Sequence, residues 1–237
     1  MRETTIAELR VWIAGETAGD RADDGPTVVL LHGFGAPGND LVSLSSALDA
    51  PLRTRFVFPE GSIDMGNRYS GGRAWWRLDL EGRLRRQERG EGQDIAEVPE
   101  GLPTARARVD ALLAGVEAEL HPARGKIVLG GFSQGAMLAL DVALHSTRAL
   151  AGLVLMSATH IAAEQWAPRF ERRRGLPVFM SHGREDPLLP FSVADGLRET
   201  LMAQGIAVEW VPFRGGHGIP QTVVDALSAF LRRTLEG

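Results

Sequence analysis

Gly131-Phe132-Ser133-Gln134-Gly135 decides the reading of this chain. It follows Lys126-Ile127-Val128-Leu129-Gly130, a short apolar run of strand character, and precedes Ala136-Met137-Leu138-Ala139-Leu140, which reads as a helix. A strand that turns sharply into a helix, with glycine on both sides of a serine, forces that serine into a strained backbone conformation and projects its hydroxyl from the top of the sheet. A side chain at position 131 or 135 would collide with neighbouring backbone, which glycine avoids. The first amides of the following helix point at the same place and favour negative charge there. Five residues are a weak signal in a chain with 28 glycines, so other segments have to supply what a serine nucleophile needs.

A serine hydroxyl needs a base within hydrogen-bond reach, and the base needs an orienting carboxylate. After a strand–serine–helix turn the expected order is serine, acid, histidine, each in a loop beyond the C-terminal end of a strand. His217, in Phe213-Arg214-Gly215-Gly216-His217-Gly218, is the expected base. His182 ends another strand-like run and is expected to shape the turn, while His145 and His160 read as surface or helix-end residues. Asp186, in Ser181-His182-Gly183-Arg184-Glu185-Asp186-Pro187, is the expected acid, with Glu185 as its competitor. Asp141 lies two turns into a helix and faces away, and Asp195 and Glu199 fit a solvated helix face. A tetrahedral intermediate needs two backbone donors. The Gln134 amide is one; the Phe34 amide, in Leu30-Leu31-His32-Gly33-Phe34-Gly35, is the other. His32 is expected to pack or hydrogen-bond beneath that loop.

Composition narrows the classes. The chain has 237 residues, 44% of them hydrophobic, enough for one sizeable core and short for two. We therefore expect a single domain over residues 1–237. A net charge of −4 argues against nucleic acid or an anionic membrane surface as partner. The absence of cysteine removes disulfides, thiolate metal sites and a cysteine nucleophile, and no metal site is expected. The N-terminus has no apolar core of signal-peptide length, and no apolar window is long enough to span a membrane; the expected location is cytoplasmic.

Strand-like and helix-like runs alternate, which predicts an α/β fold with a mostly parallel central sheet and helices on both faces. The strands are expected at Leu9–Ala14 (an edge), Val28–Leu31, Arg55–Phe58, Lys126–Gly130, Leu153–Met156, Val178–Ser181 and Val208–Val211. The helices are expected at Asp40–Leu48, Thr104–Leu120 with Thr104 as N-cap, Gln134–His145, Ser192–Gln204 and Thr222–Leu235. Residues 73–100 break the alternation. They hold Trp75-Trp76 and a charged run from Arg77 to Glu91, and read either as a solvated loop or as a lid or rim over the site. His160–Gly175 is a second irregular stretch of the same kind. Trp75, Phe34, Trp166, Leu188 and Leu189 are candidates for an acyl pocket, with Trp76 as the alternative to Trp75 and a core role as the alternative for Trp166.

Taken together, Leu31-His32-Gly33-Phe34-Gly35, Gly131-Phe132-Ser133-Gln134-Gly135-Ala136, Ser181-His182-Gly183-Arg184-Glu185-Asp186-Pro187 and Gly216-His217-Gly218-Ile219 resemble the phospholipase/carboxylesterase family. That family includes acyl-protein thioesterases and small bacterial carboxylesterases. Ala74-Trp75-Trp76 resembles its aromatic segment near the acyl pocket. The resemblance implies an α/β-hydrolase fold and cofactor-free hydrolysis of short- to medium-chain carboxyl esters or thioesters. It implies Ser133, Asp186 and His217 as the triad, and the Phe34 and Gln134 amides as oxyanion donors. The sequence departs from the thioesterase pattern at Ala36, where an acidic residue is usual, and in the charged Arg77–Glu91 run; ester hydrolysis is therefore the firmer expectation. The same triad could serve a perhydrolase or acyltransferase, and the fold can serve as a non-catalytic binding module. The expected partner is a small-molecule ester, and a homodimer is compatible with the sequence without being required by it.

Overall fold

The apolar runs become strands, and their alternation builds two cores. The computed structural model describes residues 1–15, 25–66, 71–79, 81–82, 85 and 89–236. Its strands are β1 (Arg2–Ile6), β2 (Leu9–Ala14), β3 (Thr27–Leu31), β4 (Arg55–Pro59), the two-residue β5 (Ile63–Asp64) and β6 (Arg73–Ala74), β7 (Ile127–Phe132), β8 (Gly152–Met156), β9 (Pro177–Gly183) and β10 (Ala207–Phe213). Eight of them form one sheet in the order β1-β2-β4-β3-β7-β8-β9-β10, and β5 pairs with β6. β1 and β2 run antiparallel to their neighbours, while every pairing from β4 to β10 in that order is parallel. The helices are α1 (Leu44–Ala47), α2 (Leu102–Leu120), α3 (Gln134–His145), α4 (Ala163–Trp166) running into a 3-10 helix (Ala167–Arg173), α5 (Phe191–Ala203) and α6 (Gln221–Glu236).

Successive side chains of a strand point to opposite faces. Val29, Leu31, Leu129, Leu153 and Leu155 therefore join one core with α2, α3 and α5. Val28, Leu30, Val128, Val154 and Phe179 join the other with α1 and α6. β3 is buried along its whole length, as a central parallel strand must be when helices cover both faces. α2 buries Leu102, Ala105, Val109, Leu112, Leu113, Val116 and Leu120, a stripe at helical spacing. α3 is different: every residue from Gln134 to Leu144 is buried, because the helix is wedged between the sheet, α2 and the 3-10 helix.

Several expectations need correction. β2 is not an edge, because β1 pairs with it from Arg2↔Ile13 to Ile6↔Leu9; β1 is polar and mostly exposed, so hydrophobic alternation does not reveal it. The helix expected over Asp40–Leu48 contracts to α1, and the chain before it makes i→i+3 turns such as Asp40 N to Pro37 O at 3.0 Å and Leu44 N to Leu41 O at 3.0 Å. α2 begins at Leu102 rather than Thr104, with Gly101 at φ 89° as its N-cap and Pro103 inside the first turn, where a missing N–H costs nothing. His160 is buried, stacked on Trp166 with ring centroids 5.5 Å apart. Trp166 is a core residue whose Nε1–H donates to Asp141 Oδ1 at 2.9 Å. Asp141 is fully buried and accepts from the half-buried Arg106 Nη1 at 3.0 Å, so that its carboxylate ties α2, α3 and α4 together. No helix among the described residues is long and apolar enough to cross a membrane.

Candidate active site

β7 runs out at Phe132, and the chain turns into α3 through Ser133. Ser133 sits at φ 54°, ψ −118°, a conformation that costs a non-glycine residue about 1–3 kcal/mol and recurs where function demands it. Its amide donates to Met156 O at 2.8 Å, which holds the turn against β8. The flanking glycines are steric requirements. A Cβ on Gly131 would lie 2.4 Å from Leu31 O, and one on Gly135 would lie 2.1 Å from the same oxygen. The elbow is thus pressed against the end of β3, which leads into the His32–Gly35 loop.

The loop after β9 carries Asp186 and the loop after β10 carries His217. Parallel pairing of these strands, Phe213 opposite Gly183, brings the two loops side by side. His217 Nδ1 lies 2.6 Å from Asp186 Oδ2, with the carboxylate fully buried and the imidazole 14% exposed. Asp186 Oδ1 accepts from the Leu188 and Leu189 amides at 2.9 and 3.0 Å. Burial alone would raise this carboxyl; the hydrogen bonds from His217, Leu189 and Leu188 outweigh it and hold the group below the usual aspartate value. An ionised Asp186 fixes the Nδ1–H tautomer of His217 and leaves Nε2 as the accepting nitrogen. The imidazole packs on Phe132, with centroids 4.7 Å apart, and His217 and Ser133 line the same cavity. Glu185 is exposed and faces Arg214 at 3.6 Å. His182 is fully buried, and its Nε2–H donates to Leu189 O at 2.9 Å while lying 3.4 Å from Asp186 Oδ2; it braces the 186–189 turn from below.

The His32–Gly35 loop is held from three directions. His32 Nδ1–H donates to Gly33 O at 2.7 Å and Nε2 accepts from the Gly61 amide at 2.9 Å. Burial pushes its pKa down to about 4, so the ring stays neutral with a fixed tautomer. The Gly35 amide donates to Arg73 O at 2.8 Å, and the Arg73 amide to Ala36 O at 2.9 Å. Trp75 Nε1–H donates to His32 O at 2.9 Å. The Gln134 side chain, almost completely buried, joins this strap to the elbow: its Oε1 accepts from the Trp75 amide at 2.9 Å and its Nε2 donates to Trp76 O at 2.9 Å. The Gln134 amide opens α3, where an α-helix leaves amides without intrahelical partners.

The cavity has a volume of about 150 Å³. Ser133, Gln134 and His217 line it, and Phe34, Trp76, Leu78, Met137, Ile161, Leu188 and Leu189 contribute apolar wall. Leu188, Leu189 and Phe34, three of the candidates named from the sequence, are among these lining residues. Trp75 is not: its indole is turned under the loop by the bond to His32 O, while Trp76 lines the wall. Trp166 is likewise absent from the lining. Residues 73–100 wall the cavity through Trp76, Leu78 and Pro99. Their far end docks on the next irregular stretch, with the Ala162 amide donating to Glu97 O at 3.0 Å and the Ala163 amide to Ile95 O at 2.8 Å. Part of the charged run, residues 80, 83–84 and 86–88, lies outside the described residues. Met137, Ile161 and Asp40 also line the cavity and escaped the sequence reading. Met137 was within reach of it, since it follows Ser133 at i+4 on one helix face; Ile161 and Asp40 carry no local signal.

Residues 16–235 match the model of the phospholipase/carboxylesterase family. The chain belongs to that family. Its α/β-hydrolase fold is shared with solved structures. Acyl-protein thioesterase 1 of Gibberella zeae is 28% identical over 230 residues, which cover 88% of this chain and 90% of that protein. The crystal structure of esterase PE8 is similar at a TM-score of 0.77 and 29% identity, covering 96% of this chain and 99% of the esterase. The Bacillus cereus carboxylesterase resembles it in fold, with a TM-score of 0.70 at 20% identity over 95% of this chain and 94% of the other. The protein is a hydrolase of the carboxylesterase and acyl-protein thioesterase type.

Proposed function

We propose that this phospholipase/carboxylesterase-family protein hydrolyses short- to medium-chain carboxyl esters, and thioesters by the same route, through an acyl-enzyme on Ser133. His217 Nε2 takes the Ser133 hydroxyl proton as Oγ attacks the acyl carbonyl carbon. The carbonyl oxygen becomes an oxyanion held by the Phe34 and Gln134 amides. On collapse the carbon–oxygen bond to the alcohol breaks, and the imidazolium returns its proton to the departing alkoxide. Water then repeats the sequence on the acyl-enzyme and releases the acid. Asp186 keeps His217 in the required tautomer and stabilises the imidazolium without itself being protonated. The apolar wall receives the acyl chain.

The observation that carries this reading is the 2.6 Å bond between His217 and the buried Asp186, set at one cavity with a serine on a strained elbow. A fluorophosphonate probe should label the protein and not Ser133→Ala, and that variant should lose about 10⁴–10⁶ in kcat on p-nitrophenyl esters while keeping its fold. Residual activity within about tenfold of the parent would remove Ser133 from the nucleophile role.

A further inference from the structure

Among the described residues, the cavity wall contains one charged side chain that the proposed acyl transfer does not use. Asp40 is among the lining residues and is exposed. Its backbone amide is spent on Pro37 O at 3.0 Å, but its carboxylate makes no ion pair or side-chain hydrogen bond with any described residue. Among the described residues, no arginine or lysine lines the cavity. Partial burial pushes the Asp40 carboxyl above its ordinary value, the mark of an anion that has lost water without gaining a cation. The two aspartates buried among the described residues have partners: Asp141 has Arg106 and Asp186 has His217.

The same cavity is lined by the aromatic residues Phe34, Trp76 and Phe132. Aromatic faces attract cations through their quadrupoles, and alkylated ammonium groups are the cations they favour. Among the described residues, a carboxylate without a partner, aromatic side chains and no competing basic residue make a wall that rewards positive charge and repels negative charge. From this we propose that the cavity selects esters carrying an ammonium group, with Asp40 as the residue that sets the charge preference. The ammonium can reside on the acyl chain or on the alcohol; both present the same chemistry to Asp40. The inference rests on the esterase reading and names its substrate class.

Two isosteric pairs test it, each differing only in a nitrogen cation against a neutral carbon: the p-nitrophenyl ester of trimethylammoniobutanoic acid against its tert-butyl analogue, and choline butanoate against its carbon isostere. The quantity read is the ratio of kcat/KM for cation over neutral, at low ionic strength, in the parent and in Asp40→Asn. In at least one pair the ratio should favour the cation in the parent and fall about tenfold in the variant, the equivalent of about 1.4 kcal/mol. The pair that responds identifies the side of the ester that meets Asp40. The fall should shrink in high salt, because an exposed charge is screened. Equal ratios in parent and variant for both pairs overturn the role of Asp40 while leaving the esterase reading intact, since the neutral esters are still cleaved. Failure of the parent to cleave even the neutral esters overturns the esterase reading, and this one with it.

Discussion

Replacing Gln134 by methionine keeps the volume of the side chain and removes both of its hydrogen bonds. In the parent those bonds satisfy the Trp75 amide and the Trp76 carbonyl, each at 2.9 Å, around a side chain almost without solvent exposure. A buried polar group stripped of its partner costs about 1–3 kcal/mol, so two such groups cost about 2–6 kcal/mol. No cavity term is added, because methionine fills the space. Against a typical domain stability of about 5–15 kcal/mol, Gln134→Met should fold with a clearly lower urea midpoint and an unchanged m-value. The loss should also reach catalysis. The same segment holds His32 O through the Trp75 indole and the Gly35 amide through Arg73 O, so loosening it displaces the Phe34 amide. Misplacement by about 1 Å costs on the order of 10²-fold in rate. We therefore expect kcat on p-nitrophenyl acetate to fall about 10–100-fold with little change in KM. Destabilisation below about 0.5 kcal/mol, together with an unchanged kcat, would refute the reasoning.

Asp186→Asn should lose about 10⁴ in kcat because the amide favours the wrong His217 tautomer, whereas Glu185→Gln, at an exposed position facing Arg214, should be mild; steady-state kinetics giving the reverse order would move the acid to Glu185. His32, with its pKa lowered from 6.5 to about 4 by burial, binds its proton later than the unfolded chain does. Its contribution is complete above pH 6.5 and is lost as the pH falls toward 4, amounting to about 3 kcal/mol over that interval. His32→Gln, compared with the parent by denaturation across the interval, should lack that part of the acid slope. Trp76→Ala should lower kcat/KM more for a long-chain than for an acetyl ester, by up to about 0.8 kcal/mol per buried methylene, while Trp75→Ala should act through stability and kcat with no chain-length trend; a trend in the Trp75 variant alone would reverse the two assignments.

Much of this site was legible because its chemistry is local in sequence. Glycine at 131 and 135 is dictated by a turn that leaves no room for a Cβ against Leu31 O, and so a five-residue stretch announces the elbow. The alternation of apolar runs announced the parallel sheet, and in such a sheet loops at strand C-termini share one edge, which is why Ser133, Asp186 and His217 could be named as candidates before their positions were known. Which of two neighbouring tryptophans faces the cavity was not local: it depends on an indole hydrogen bond to His32 O, 43 residues away in sequence. Asp186 was already preferred to Glu185 in the sequence, but the Leu188 and Leu189 amides and the His217 ring that hold its carboxylate are brought to it only by the fold. Strand β1 and the lining residues Asp40 and Ile161 were invisible for the same reason. Their placement is decided by what packs against them across the fold, and a linear pattern of polarity carries no record of a neighbour brought in by tertiary structure.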